Sequence, residues 1–282
     1  MNRKLSNTLF VLFSWLGVSI CAIILLFLLS TIAWNGIQAI RFEFLLTASR
    51  NFGSEGGILY QIIGSLLLIT FAALFSFPIA LATAIYKSEY MESKFHQKMC
   101  GALIYSLNGI PSIIFGIFGL IFFVNILNTG ISWFVGSIIL AMMILPTIVL
   151  STYQSINSIP TAYRENALAL GHSKWQVITK VILPQGIGGA ITGLLIGLAR
   201  AIGETAPIMF IATAYSGVEI PNSIFEPVTA LPTHILILAQ QAIDPKALQN
   251  AWGSSMVLVF LVTIFGLLAL YSRKRLLLIT QR

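Results

Sequence analysis

The chain has 282 residues, 57% of them hydrophobic and only 9% charged, where ordinary soluble domains carry about 25% charged residues. That balance excludes a water-soluble globule and makes the bilayer the solvent. A net charge of +7 and a pI of 9.6 would suggest a nucleic-acid partner in a soluble chain, but the basic residues lie between apolar runs rather than in one patch, so membrane orientation accounts for them.

The apolar runs predict six transmembrane helices, at 9–33, 58–86, 100–124, 131–150, 185–215 and 252–272. About 20 apolar residues cross a bilayer as helix, whereas strands in lipid must alternate faces and close into a barrel. The first run, Leu5 to Ile40, is uncharged and follows Arg3 and Lys4; a signal-peptide core is only about 7 to 15 residues, so this run is expected to be a retained span. Cys21 and Cys100 lie in or at the edge of apolar runs without a third ligand or a CxxC spacing, and read as packing residues.

Lys87, Lys94, Lys98, Arg164, Lys174, Lys180, Arg273, Lys274, Arg275 and Arg282 fall on the same side as Arg3 and Lys4, and only Arg41, Arg50 and Lys246 on the other. The positive-inside rule then puts both termini in the cytoplasm. Residues 1–57 are expected to form the first helix and a periplasmic loop, and residues 58–282 the core, with a cytoplasmic loop at 151–184. In the outer loop 216–250, Ile235 to Ile243 is too short to cross and is expected to be a lid on the bundle, with partner docking as the alternative.

In the third span Asn108, Pro111 and Ser112 either line a pathway or mark a packing kink, since a mid-span proline frees backbone groups that nearby polar side chains satisfy. No GxxxxGK[ST] loop or HExxH motif occurs, and His96, His172 and His234 stand apart. No catalytic or metal-binding constellation is therefore expected, and energy for any pumping must come from a gradient or from another subunit.

The stretch SIPTAYRENALALGHSKWQVITKVILP reads as two short helices. Pro160 suits a first helical position, Tyr163, Ala167 and Leu170 share a face, and Gly171 is placed to end the helix in a left-handed turn. Ser173 and Gln176 make a capping box for a second helix with Trp175, Ile178 and Ile182 on one side, ending before Pro184. The product is a compact knob.

At these residues the chain resembles the inner-membrane permeases of bacterial ATP-binding cassette importers. Their cytoplasmic loop carries Glu-Ala-Ala, three residues, Gly, nine residues, then Ile, one residue, Leu-Pro. Here Glu165, Asn166, Ala167, Gly171, Val181, Leu183 and Pro184 keep the spacing, with Asn166 in place of Ala and Val181 in place of Ile. The resemblance implies an all-α membrane permease of the six-helix type I importer (MetI-like) fold in a bacterial inner membrane. It also implies that the elbow inserts into a separate subunit, which binds ATP and Mg.

The fifth span carries GLARAIGETAP, with Arg200 and Glu204 inside an apolar run and Thr205 next to them. A lipid-facing charge there would cost several kcal/mol. As one helix, Gly189, Gly193, Gly197, Arg200, Glu204 and Pro207 share a face, and the small residues allow another helix close approach. Arg200 and Glu204 then either neutralise each other at i, i+4 or meet a passing anion.

RAIGETAP, with NGIPSIIFGIFGL in the third span, is similar to the phosphate-specific importer permeases of the PstA type. That resemblance implies phosphate import with a second permease (PstC type), two ATPase subunits (PstB type) and a periplasmic phosphate-binding protein (PstS type). Such permeases often carry an Arg a few residues after the Leu-Pro of span four, where this chain has Leu150. The second cation is then expected from the partner, or the anion is another one such as sulfate or molybdate. A gradient-driven secondary transporter is the rival from a different class.

Overall fold

Lipid offers a backbone no hydrogen-bond partners, and the computed structural model, which describes residues 3–214, 220–241 and 243–280, is helical through most of each long apolar run. Five helices are long and apolar enough to cross: α1 (Arg3–Gly36), α2 (Leu59–Tyr90), α5 (Trp133–Asn157), α7 (Lys174–Ala201) and α10 (Pro245–Thr280). The sixth crossing is a broken one, α3 (Lys94–Gly109) and α4 (Ser112–Ile126), bent by 90°. Between them lie α6 (Thr161–Ala169), α8 (Ala206–Ile211) and α9 (Leu231–Gln240). The side chains of Arg3, Lys4, Lys274 and Arg275, and all of Arg282, lie outside the described residues.

The core is built around α5. Ile139, Leu140, Ile144 and Ile148 are fully buried there, packed with Leu68 and Ala72 of α2 and Leu198 and Ala201 of α7. Four glycines of α7 make this approach close. A Cβ added at Gly189 would stand 2.2 Å from Ser155 Cβ, one at Gly193 2.7 Å from Ser151 Cβ, and Gly186 and Gly197 abut Ile156 and Ile144. Ser151 Oγ donates to Gly189 O across the seam at 2.7 Å. By contrast, none of the apolar window of α1 is buried, against 61% of that of α5, so α1 is peripheral. It rests on α10, where Gly36 meets the Trp252 carbonyl and Met256.

One end of the bundle is capped by α9, as the short apolar stretch predicts. The Leu231 N–H donates to Ser65 Oγ of α2 at 2.8 Å, and His234 and Leu238 fill the space that a side chain at Gly53 would need. Beside it a two-residue hairpin pairs Arg50 with Glu55, and Lys246 reaches Glu55 at 3.4 Å. Arg41 and Arg50 lie at this end, whereas Arg164 and Lys174 lie at the other, with Glu89 and Tyr90 at the close of α2.

Two expectations change. The third span is no single kinked helix: Pro111 holds Ile110 in extended backbone (φ −69°, ψ 129°) and, next to Gly109, stops the helix outright. The fifth span starts earlier and ends sooner. Its helix begins at Lys174, absorbs Pro184 through a π-helical turn over Ile178–Ile182, and stops after Ala201. Gly203 weakens it and Pro207 has no N–H to offer the Gly203 carbonyl, so Glu204, Thr205 and Pro207 lie beyond the helix that carries Arg200.

Candidate functional site

The elbow is assembled as its sequence signals require. Pro160 stands at the N-cap rather than at the first helical position, so α6 starts one residue later than expected. At its other end the Gly171 N–H donates to Leu168 O and the His172 N–H to Ala167 O, a Schellman motif that demands positive φ at Gly171, which has 82°. The capping box is complete: the Gln176 N–H donates to Ser173 Oγ and the Ser173 N–H to Gln176 Oε1. The expected side-chain faces are split, however. Ala167 is buried with Val177, Ile178 and Ile182, while Tyr163, Leu170 and Trp175 point outward at 51%, 79% and 65% exposure. Glu165 is exposed beside them, and Pro184 lies inside α7, just after its π-helical turn. These three apolar side chains are thus presented outward on a capped turn, and exposed apolar patches commonly mark interaction sites.

The second constellation lies where the two broken helices meet. A Cβ at Gly116 of α4 would stand 2.7 Å from Pro207 Cα, and Gly119 abuts Ile211 of α8. Arg200 occupies the last turn of α7, where the helix dipole favours a cation. Its Nε approaches Glu204 Oε1 at 3.5 Å, with side chains 39% and 16% exposed. This contact is long and partly solvated, and is worth little as a salt bridge. Among the described residues it is the only side-chain contact of the guanidinium within hydrogen-bonding range, so the planar fork of the two terminal nitrogens stays open. The glycine ridge of α7 is the packing seam with α5, and Glu204 and Pro207, expected on the same helical face, lie beyond the end of that helix.

Between α5 and α7 opens a cleft of ≈ 770 Å³ that runs from Asn108 toward the elbow. Thr147, Ser151, Ser155 and Thr192 line it, Tyr163 of the elbow stands over it, and among the described residues Arg273 is its one charged residue. Asn108 Oδ1 accepts from Thr147 Oγ1 at 3.3 Å, so Asn108 joins the cleft, but Ser112, Arg200, Glu204 and Thr205 are not among its lining. Leu150, the apolar substitute in span four, is. Thr147, Ser151 and Ser155 recur every fourth residue, a polar stripe on an apolar helix that sequence inspection had the means to find.

Residues 76–276 match the family described as binding-protein-dependent transport system inner membrane component. The chain is 32% identical over 281 residues to a probable ABC transporter permease protein, YqgI, of Bacillus subtilis, covering 95% of each. It is 32% identical over 269 residues to the phosphate transport system permease protein PstA of Pasteurella multocida, covering 95% of this chain and 94% of that one. Among solved structures it resembles a chain of a bacterial alginate ABC transporter in complex with an alginate-bound periplasmic protein (TM-score 0.67, 19% identity, 96% of both chains). It also resembles a chain of the inward-facing MetNI methionine ABC transporter (TM-score 0.59, 17% identity, 78% of this chain and 97% of that one).

Proposed function

We propose, from the premise that this chain belongs to the family of binding-protein-dependent transport system inner membrane components and is a multi-pass permease subunit of an ATP-driven importer, that the ion it passes is inorganic phosphate. One observation carries the reading: Arg200 presents an open guanidinium fork at the junction of two helix breaks. Irregular backbone at membrane depth is tolerated only where protein buries it or a water-filled path runs past. A planar fork suits two phosphate oxygens at once, which an ammonium does not. Glu204 beside it accepts a hydrogen bond from the hydroxyl that phosphate keeps near neutral pH and sulfate lacks. Because that carboxylate also repels an anion, Arg200 needs a further cation from the second permease to outweigh it.

Both termini and the elbow lie in the cytoplasm in this reading. Leu170, Trp175 and Tyr163 enter a groove on an ATPase subunit, which binds the ATP and Mg and does the hydrolysis, while this chain performs no catalysis. Asn108, Ser112 and Thr205 border the path, and the hydroxyl-lined cleft with Arg273 leads the anion inward. The remaining partners are a PstC-type permease, two PstB-type ATPases and a PstS-type periplasmic phosphate-binding protein. Leu150 in the cleft favours the second reading, another oxyanion. Labelled phosphate uptake in the presence of competitors decides: arsenate should compete and sulfate should not, whereas suppression by sulfate would replace phosphate with the second reading.

A further inference from the structure

The last turn of α2, Tyr86–Tyr90, is π-helical, a geometry found often at functional positions, and it touches every element of the elbow. Glu89 meets Arg164 of α6 with both carboxylate oxygens: Arg164 Nη2 to Glu89 Oε1 at 2.9 Å, and Nε to each oxygen at 3.2 Å. The pair is nearly buried, the Glu89 side chain being 10% exposed and that of Arg164 19%. The same guanidinium donates to the Ile159 and Ile156 carbonyls at 2.8 and 3.1 Å, tying it to the end of α5 and the link that follows. One residue on, Lys174 Nζ, at the start of α7, lies 4.6 Å from the centre of the Tyr90 ring. On the inner side Lys87, 5% exposed, places its ammonium 4.2 Å from the centre of the Tyr153 ring of α5. One turn is thus fastened to α5, to α6 and to α7 by separate charged contacts.

We infer that the turn Tyr86–Tyr90 is the receiver of the elbow's stroke, and that Arg164 and Glu89 are positioning residues that make α2 move with the coupling helix. The chain itself joins α6 only to α5 and α7, so without these contacts a push on the elbow reaches α2 through side-chain packing alone. The forked, nearly buried pair resists shear and rotation, because the three hydrogen bonds from the guanidinium to both carboxylate oxygens would have to break together. The two cation–aromatic contacts add a weaker hold on either side. This inference rests on the proposal that the elbow is where the ATPase docks.

The test uses the whole complex in proteoliposomes, with phosphate-loaded binding protein, and reads phosphate imported per ATP hydrolysed. Glu89→Gln is expected to retain the ATPase subunits on co-purification and to continue hydrolysis, while the ratio falls about tenfold, the scale of one lost charge-assisted bond. Arg164→Lys, which keeps the charge but not the fork, should give an intermediate ratio. Since opening a buried pair can prevent folding, the exposed contact supplies a tolerant variant: Lys174→Gln should lower the ratio by about two- to threefold. An unchanged ratio in any of these variants that assembles, or uptake and hydrolysis falling in parallel, overturns the inference. Loss of the ATPase on co-purification from Leu170→Ala with Trp175→Ala tests the docking proposal separately, and retention there would remove the premise instead.

Discussion

At Gly171 the backbone stands at φ 82° and an added Cβ would meet nothing within 4 Å, so the position restricts conformation and not volume. Gly171→Val should therefore cost about 1–2 kcal/mol at the turn and misaim Trp175, while Gly171→Asn should be nearly silent. The check is phosphate uptake at equal membrane protein level; wild-type uptake by the Val variant would contradict the role given to the turn. His234 offers a second residue-scale test. It is 6% exposed beneath the lid, outside the spans, and burial pushes its pKa down from 6.5 to about 4. The fold thus prefers the neutral ring. That preference stabilises fully above pH 6.5, weakens as pH falls below it, and is gone below about pH 4, a change on the order of 3 kcal/mol. Melting temperature measured from pH 7 to pH 5 should drop, and His234→Leu should flatten the slope. Gly171 and the capping box were legible in sequence because they act through neighbours in the chain. The burial of His234 against Gly53 was not, because those residues are distant in the chain.

At the scale of elements, apolar runs gave away where helices lie but not where they break. A run of hydrophobic residues continues through Ile110 and Ile202, so average hydropathy cannot register either interruption; only the local pairs Gly109 with Pro111 and Gly203 with Pro207 do. Pro78 and Pro146, by comparison, stay inside helices. The glycines of α7 were readable as a close-approach face, the partner they approach being α5, but the helix end that separates Glu204 from Arg200 was not. This seam makes a quantitative prediction. At Gly189 a side chain would collide with Ser155 and with the Ser151 carbonyl, backbone that cannot yield cheaply. Gly189→Leu should overpack the seam by more than the usual 1–3 kcal/mol and prevent accumulation. Gly266, with nothing near its Cβ, should accept Ala without loss. Immunodetection of both variants in membranes checks the pair, and normal levels of Gly189→Leu would contradict the packing described.

For the whole molecule, six crossings and an elbow at one end place a docking surface and a broken-helix junction on the same helix, α7, which runs from Lys174 to Arg200 without interruption. On the proposed function, movement of the elbow would be carried along this helix to the residues proposed to meet the anion. Cysteines introduced in loop 220–241 should react with impermeant thiol reagents from outside, and those at 161–171 should not; reversed labelling would invert the assigned orientation. The central claim, that Arg200 meets phosphate on its way through, is tested most directly by ATP-dependent uptake of labelled phosphate into proteoliposomes holding the complete complex with Arg200→Gln. The account predicts that uptake is lost while assembly and protein level stay normal, and that Arg200→Lys loses most of it. Phosphate uptake at the wild-type rate in Arg200→Gln would take this residue out of the path and leave it a partner of Glu204 alone.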